Sequence, residues 1–408
     1  MERTAYIYLN IKSYDGTVFN TQVANWLQLY DKNDIKFDYW HVFSVQYLKD
    51  RNYVQSQLEG IKSTGINLKG YTWAFPSKGV FARINAALWY RKLKKYSKEY
   101  DRIVIFSRCM FGKEIACLKR WLGIPVIFIY DGRAASAEEY RYSMIKSNDF
   151  SKKRFNMLSH VLHTEAVTLQ VADRTFTVSK SLKRYFNKNF NVDSEKMFIY
   201  PCLSDSDKFF YSEEIRQKFR SELNYAPDDI VFIYSGGAGK YHATDVILNF
   251  FKRLHARNQN ARLLILTKDT EIIEKEINEI LPSFGAYVKY MSVSNDEINN
   301  YLNVADFGIL FRENMPINNV ASPSKFAEYM LTGLPVIISE GVGDYSEFTL
   351  KNNVGQLIME QYLHDWASFD FSVFDEYKYN RENIARQALK DFSKESLLRK
   401  VIEQFKSI

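Results

Sequence analysis

The sequence predicts an α/β protein built from two doubly wound, Rossmann-like domains. Short β-rich runs alternate with helical periods through both halves, and the alternation restarts after "MFIYPCLSDSDKFF". A chain of 408 residues is also longer than a single core usually serves. The expected divisions are 1–203, 204–385 and a helical end, 386–408.

In the first half, "AYIYLNI" (5–11), "DRIVIFS" (101–107), "IPVIFIY" (124–130) and "RTFTVS" (174–179) have the apolar, β-branched character of buried parallel strands. "TQVANWLQLYDKN" and "GKEIACLKRWLG" carry helical periodicity between them. In the second half the strands are "DIVFIYSG" (229–236), "RLLILT" (262–267), "AYVKYMS" (286–292), "DFGILF" (306–311) and "PVIIS" (335–339). "ATDVILNFFKRLHARN" (243–258) is a helix, as is "ASPSKFAEYML", which reads as opened by Ser322 with Pro323 in its first turn and stopped at Gly333.

Composition narrows the function classes. Hydrophobic residues at 46% and charged residues at 25% match a soluble globular protein, and 28 Tyr with 30 Phe argue against disorder. No apolar run has the length of a membrane helix, and "MERTAYIYLN" lacks the form of a signal peptide. Cys109, Cys117 and Cys202 have no metal-ligand spacing and leave an odd thiol, which favours the reducing cytoplasm. The net charge of +7 is uneven: residues 1–205 hold 32 Lys+Arg against 19 Asp+Glu, and residues 206–408 hold 23 against 29. Residues 82–102 read as a basic helix with Trp89 and Tyr90 beside Arg91, Lys92, Lys94 and Lys95. It is either a solvated face or a patch for anionic lipid, by which the protein would sit peripherally on the inner membrane, or for a phosphorylated acceptor. No nucleic-acid-binding motif accompanies the charge.

In open parallel sheets, ligands bind at the carboxyl ends of the strands. That rule selects Arg312, which follows "DFGILF", and "SGGAGK", where Gly236 and Gly237 let a ligand approach backbone and Lys240 follows. Lys325 stands in the first turn of its helix, the positive end, where a cation is unfavourable unless an anion joins it. Glu328 lies three residues on, on the same face. Ser322, Lys325, Arg312 and the glycine turn thus suit a diphosphate, and Glu328 suits a ribose diol.

"ADRTFTVSKSLKRYF", "FIYPCLSDSDKF" and "VADFGILFRENMPINNVASPSKFAEYMLTGLPVI" together resemble the C-terminal half of retaining glycosyltransferases of family 4. The resemblance covers most of residues 100–408 and only the outline of the first hundred. It implies the GT-B fold, two Rossmann-like domains across a cleft, with the C-terminal helix crossing back to the first. It implies a nucleotide-diphosphate-sugar as co-substrate, no cofactor and no essential metal. Glu328 matches the family's ribose-binding glutamate, and Arg312 and Lys325 fall where basic residues meet the diphosphate. Asp131 and Arg133 resemble an Asp-x-Arg segment that meets the acceptor or the donor's phosphate, or else form a helix cap and a salt bridge. Gly16, in the loop after the first strand, is the matching candidate near the donor phosphates. Two departures stand out. Val320 occupies the position of the first of two glutamates eight apart, and Gly236-Gly237 replaces the usual Gly-Arg of the donor loop.

"GGAGKY" is not an ATPase phosphate loop, since Tyr234 and Tyr241 occupy its required Gly and Ser/Thr positions. "DSD" at 205–207 mimics a metal-binding Asp-x-Asp but lies in the expected linker. The resemblance therefore implies transfer of a sugar, with retention, to a glycan or polyprenyl-linked acceptor of a bacterial surface polysaccharide. A nucleotide-sugar epimerase of the same fold and a non-catalytic sugar-nucleotide-binding subunit are the alternatives.

Overall fold

The computed structural model describes residues 3–77, 79–239, 243–375 and 378–407. It divides into two compact units, 1–201 with 398–408, and 202–397.

The first unit holds a seven-stranded sheet in the order β3-β2-β1-β4-β5-β6-β7. Its strands are β1 (Thr4–Asn10), β2 (Phe37–Ser44), β3 (Leu68–Ala74), β4 (Arg102–Ser107), β5 (Val126–Gly132), β6 (Arg174–Thr177) and β7 (Met197–Ile199). The second unit holds β10-β9-β8-β11-β12-β13. These are β8 (Ile230–Ser235), β9 (Ala261–Leu266), β10 (Val288–Met291), β11 (Phe307–Leu310), β12 (Val336–Ser339) and β13 (Gly355–Ile358). Every pairing in both sheets is parallel. Parallel strands need helical crossovers that cover both sheet faces, so the central strands are apolar throughout. In each sheet the strand order reverses once, between β1 and β4 and between β8 and β11. Those two points fix where a crevice can open.

Four strands lie outside the sequence reading: β2, β3, β7 and β13. The basic segment 82–102 is also not one helix. A helix Phe81–Leu93 is followed by a turn of helix, Tyr96–Glu99, and Arg102 already belongs to β4. The central strand β4 needs its full length, because Arg102 to Ser107 pair with β1 and most of that run also pairs with β5. The helix after β1 contains a π segment, Asn20–Ala24, a wider turn that is common at functional sites.

The return of the chain end to the first unit begins at Leu398 rather than at 386. Helix Arg381–Asp391 stays with the second unit because Arg381, Ile384 and Ala388 are buried there. The last helix, Lys394–Lys406, then inserts Phe405, fully buried, among Tyr6, Tyr30, Phe37, Phe106 and Phe176. The ring centroids lie 5.2–6.4 Å away in tilted and edge-on arrangements. Removing such a ring leaves a cavity that neighbours cannot fill. Phe405→Ala should therefore destabilise the first unit by about 3–5 kcal/mol, visible as a lowered urea midpoint. An unchanged midpoint would mean that the terminal helix contributes no core.

Candidate functional site

The site of the second unit is built at the carboxyl ends of the neighbouring strands β8 and β11. Strand β8 ends at Ser235, and the chain turns through Gly236 at φ +148°, a conformation favouring glycine. A Cβ at Gly236 would fall on Cε and Nζ of Lys325. The missing side chain is what lets the lysine lie over the turn. Lys325 Nζ donates to the Tyr234 hydroxyl at 3.1 Å and sits 4.4 Å from the centroid of that ring. The Tyr234 hydroxyl in turn donates to the Gly237 carbonyl at 2.7 Å. Strand end, glycine turn and helix start are thereby stapled together. The turn is closed further by Ala238 N–H to Asp269 (2.9 Å) and Gly239 N–H to Thr244 (2.9 Å).

Lys325 is half-buried, and its pKa falls to about 7. Burial is the first cause, repulsion from Arg312 the second, and Glu328 opposes both. Arg312 follows β11 and is 9% exposed. Its backbone is clamped to Ser339 at the end of β12, N–H to Oγ at 2.8 Å and Oγ to C=O at 2.9 Å. Burial pushes the Glu328 carboxyl up, while Lys325, a hydrogen bond with Ser324 and Lys394 hold it down. Lys394 is itself paired with Asp205 at 3.0 Å. That pair gives the "DSD" segment a partner within the protein, and no group of three or more metal-type ligands occurs among the described residues.

The helix starts later than expected. It spans Ser324–Leu331 with Pro323 at the N-cap and no side-chain cap. Ser322 cannot cap it, because its Oγ accepts from the Cys202 N–H at 3.0 Å and lies 2.7 Å from the Tyr345 hydroxyl. It anchors the start of the second unit to this helix. Tyr345 stacks on Phe326 at 4.2 Å, which fixes the helix from behind. Val320 is 5% exposed, so the position of the absent glutamate is a packed wall. Beside it the loop after β12 folds down, Gly343 N–H donating to Asn318 at 3.0 Å, and a Cβ at Gly341 would meet the Asn314 and Asn319 side chains. The sequence does not single out these asparagines, which lie within "RENMPINNVASPSK". Lys240 lies outside the described residues.

In the first unit, Asp131 lies within β5, 1% exposed, with Arg133 Nε 2.8 and 2.9 Å from its two oxygens. The Arg133 guanidinium rests 4.5 Å from the Tyr200 ring centroid, and the Tyr200 hydroxyl is 2.6 Å from that of Tyr30. Asp131 thus holds an arginine, and its buried Oδ1 has no hydrogen-bond partner among the described residues. Gly16 precedes the helix after β1 at φ +73°, a turn conformation that favours glycine, and a Cβ there would meet no atom within 4 Å. Arg108, at the end of β4, is a third functional candidate at this edge, one that the sequence alone does not single out.

No protein-family model matches the chain, and no curated protein matches it in sequence. Its fold does match solved structures along its whole length. HepE of Anabaena in complex with UDP-glucose gives a TM-score of 0.65 at 12% identity, with 100% of each chain covered. The lipopolysaccharide outer core galactosyltransferase WaaB gives 0.66 at 12% identity, covering 99% of each. A candidate UDP-N-acetylglucosamine 2-epimerase of Listeria monocytogenes gives 0.53 at 10%, covering 99% of this chain and 96% of that one. The architecture is GT-B.

The lysine makes a direct pH prediction. A bound diphosphate holds Lys325 protonated, so above its unliganded pKa of about 7 binding must take up a proton. Affinity for UDP should fall as pH rises through about 7 toward 9, and calorimetry in buffers of different ionisation enthalpy should detect the uptake. Lys325→Arg, permanently charged, should lose that slope. An identical slope in both proteins would remove Lys325 from the site.

Proposed function

We propose that the chain is a glycosyltransferase that moves a sugar from a nucleotide-diphosphate-sugar to a hydroxyl of a glycan or polyprenyl-linked acceptor, with retention and without a metal. One observation carries the reading: Lys325 and Arg312 crowd two cations at the strand-order reversal, above a glycine turn, with Glu328 beside them. Like charges held close together are costly, and a diphosphate is a ligand that relieves them. That HepE was solved with UDP-glucose on the same fold supports the choice of donor.

In this mechanism the acceptor attacks from the leaving group's face and the departing phosphate oxygen takes its proton. The protein stabilises growing charge on that oxygen through Arg312, Lys325 and the backbone of Gly236 and Gly237. Glu328 accepts from the ribose. Arg133, oriented by Asp131, positions the acceptor, and Gly16 shapes the turn beside it. Ser322 acts by holding the donor helix in place.

Arg312→Ala should lower kcat about a hundredfold with a smaller change in donor KM, because phosphate charge grows as the sugar leaves. Glu328→Ala should instead weaken UDP binding about tenfold or more, the value of a charge-assisted hydrogen bond. Normal turnover by Arg312→Ala and normal UDP affinity in Glu328→Ala would sink the reading. An epimerase is the second reading, favoured by the apolar wall at Val320 and the Listeria match. It would convert the donor with no acceptor present.

The chain's place at the cytoplasmic face of a membrane is part of the proposal. No helix of the described residues is long and apolar enough to span a bilayer. Helix Phe81–Leu93 and the turn after it expose Arg91, Lys92, Lys94 and Lys95. Phe81 (40%), Ile84 (38%) and, from the helix packed beside it, Trp121 (39%) are exposed too. Cations with exposed apolar rings suit an anionic bilayer surface. Replacing the four cations by Gln should release the protein from anionic vesicles, each contributing about 1 kcal/mol at low salt. Equal sedimentation of both proteins would make this a solvated face.

A further inference from the structure

Arg108 leaves the end of β4, at the strand-order reversal of the first sheet, and its side chain is only 7% exposed. Its Nη2 donates to Gln22 Oε1 at 2.7 Å, from the π segment Asn20–Ala24. Its Nε is buried with no hydrogen-bond partner. The nearest carboxylate, Asp131, comes no closer than 3.9 Å, because Arg133 already holds it at 2.8 Å. Two guanidiniums thus share one carboxylate, and Arg108 keeps a buried N–H unspent.

A buried charge without a hydrogen-bonded counterion is among the costliest arrangements a fold can hold, and it persists where a ligand completes it. The planar donors of arginine fit phosphate oxygens in pairs, which lysine cannot match. We infer that the first unit carries its own anion subsite at the ends of β4 and β5, in which Arg108 and Arg133 bind a phosphate group of the acceptor. Asp131 and Gln22 hold the two guanidiniums in place. The acceptor is therefore a phosphate ester, either a soluble sugar phosphate or a lipid-linked one. Only the word acceptor rests on the transferase reading; the phosphate subsite stands on the first unit's geometry.

Calorimetric titration of the full chain, saturated with UDP, tests this with inorganic phosphate, glucose 6-phosphate and polyprenyl phosphate in micelles. Phosphate should bind wild type and Arg312→Ala alike. Arg108→Gln should lose tenfold or more in phosphate affinity, Arg108→Lys should lose less, and neither should change UDP affinity. Glucose 6-phosphate binding more tightly than phosphate supports a soluble acceptor, and polyprenyl phosphate binding more tightly supports a lipid-linked one. Unchanged phosphate affinity in Arg108→Gln and Arg133→Gln would overturn the inference. So would a phosphate response abolished by Arg312→Ala alone, or no phosphate binding by wild type. Absent UDP binding with phosphate binding retained would instead defeat the donor assignment and leave the subsite standing.

Discussion

Everything proposed for the second unit depends on one contact, the Lys325 ammonium lying across the backbone of Gly236. A side chain at 236 would displace the lysine. Without the Tyr234 hydroxyl, the lysine and the Gly237 carbonyl would lose their common partner. The contact keeps a cation at the positive end of a helix, against its own dipole and against Arg312. The lysine makes a single hydrogen bond among the described residues, to Tyr234. Folding supplies the position, Glu328 offsets part of its cost, and the proposed diphosphate would offset more.

Topology decides why such positions occur where they do. In a parallel sheet whose order reverses once, the two crossovers leaving the reversal point run to opposite faces and open a gap at the strand ends. Each sheet has one such reversal, and arginines follow strands at it or next to it: Arg312 after β11, Arg108 after β4 and Arg133 after β5. The glycines serve the same geometry. Gly236 makes room for the lysine, while Gly132 lies so close to Phe186 and the Phe176 carbonyl that no larger residue fits behind Asp131.

Legibility of the sequence followed the same physics. Strands buried on both faces, such as β4, β5, β8 and β9, are continuous apolar runs and stand out. Strand β3 lies at the sheet edge with alternating exposure, and its "LKGYTWA" has lysine and glycine where a buried strand has valine. Strand β7 is three residues long, and β13, "GQLI", opens on glycine and glutamine rather than on an apolar run. The proposed donor residues Arg312, Lys325 and Glu328 stand out in the sequence because strand end and helix start lie close along the chain. Ser322 read as a cap because a Ser-Pro pair before a helix has that form, whereas its hydroxyl is used by Cys202, 120 residues away. Arg108 gave no local signal. Its meaning comes from Asp131 and Gln22, which only the fold brings to it.

The arginines far from the crevices show what an arginine with a purely structural task looks like here. At the amino-terminal side of the second sheet, Arg381 donates to the carbonyls of Asn303, Ala305 and Thr332 at 2.8–3.0 Å. Arg216 donates to Asn303, Val304 and Ala305 and pairs with Asp306 at 2.6 Å. Arg220 reaches the same carboxylate and the Asp229 carbonyl. These guanidiniums each bond several groups of the chain, tying helix ends to strand starts. Arg108 has one neutral amide and a distant, shared carboxylate. Arg216 and Arg220 are met by several carbonyls and a carboxylate at one end of a sheet, whereas Arg108 at the strand ends of the other has one amide and a carboxylate at 3.9 Å. Burial alone does not account for that difference, because the fold surrounds Arg216 and Arg220 with acceptors in the second unit. What separates the two groups is position relative to the strand ends, and position of that kind is where a parallel sheet meets its ligand.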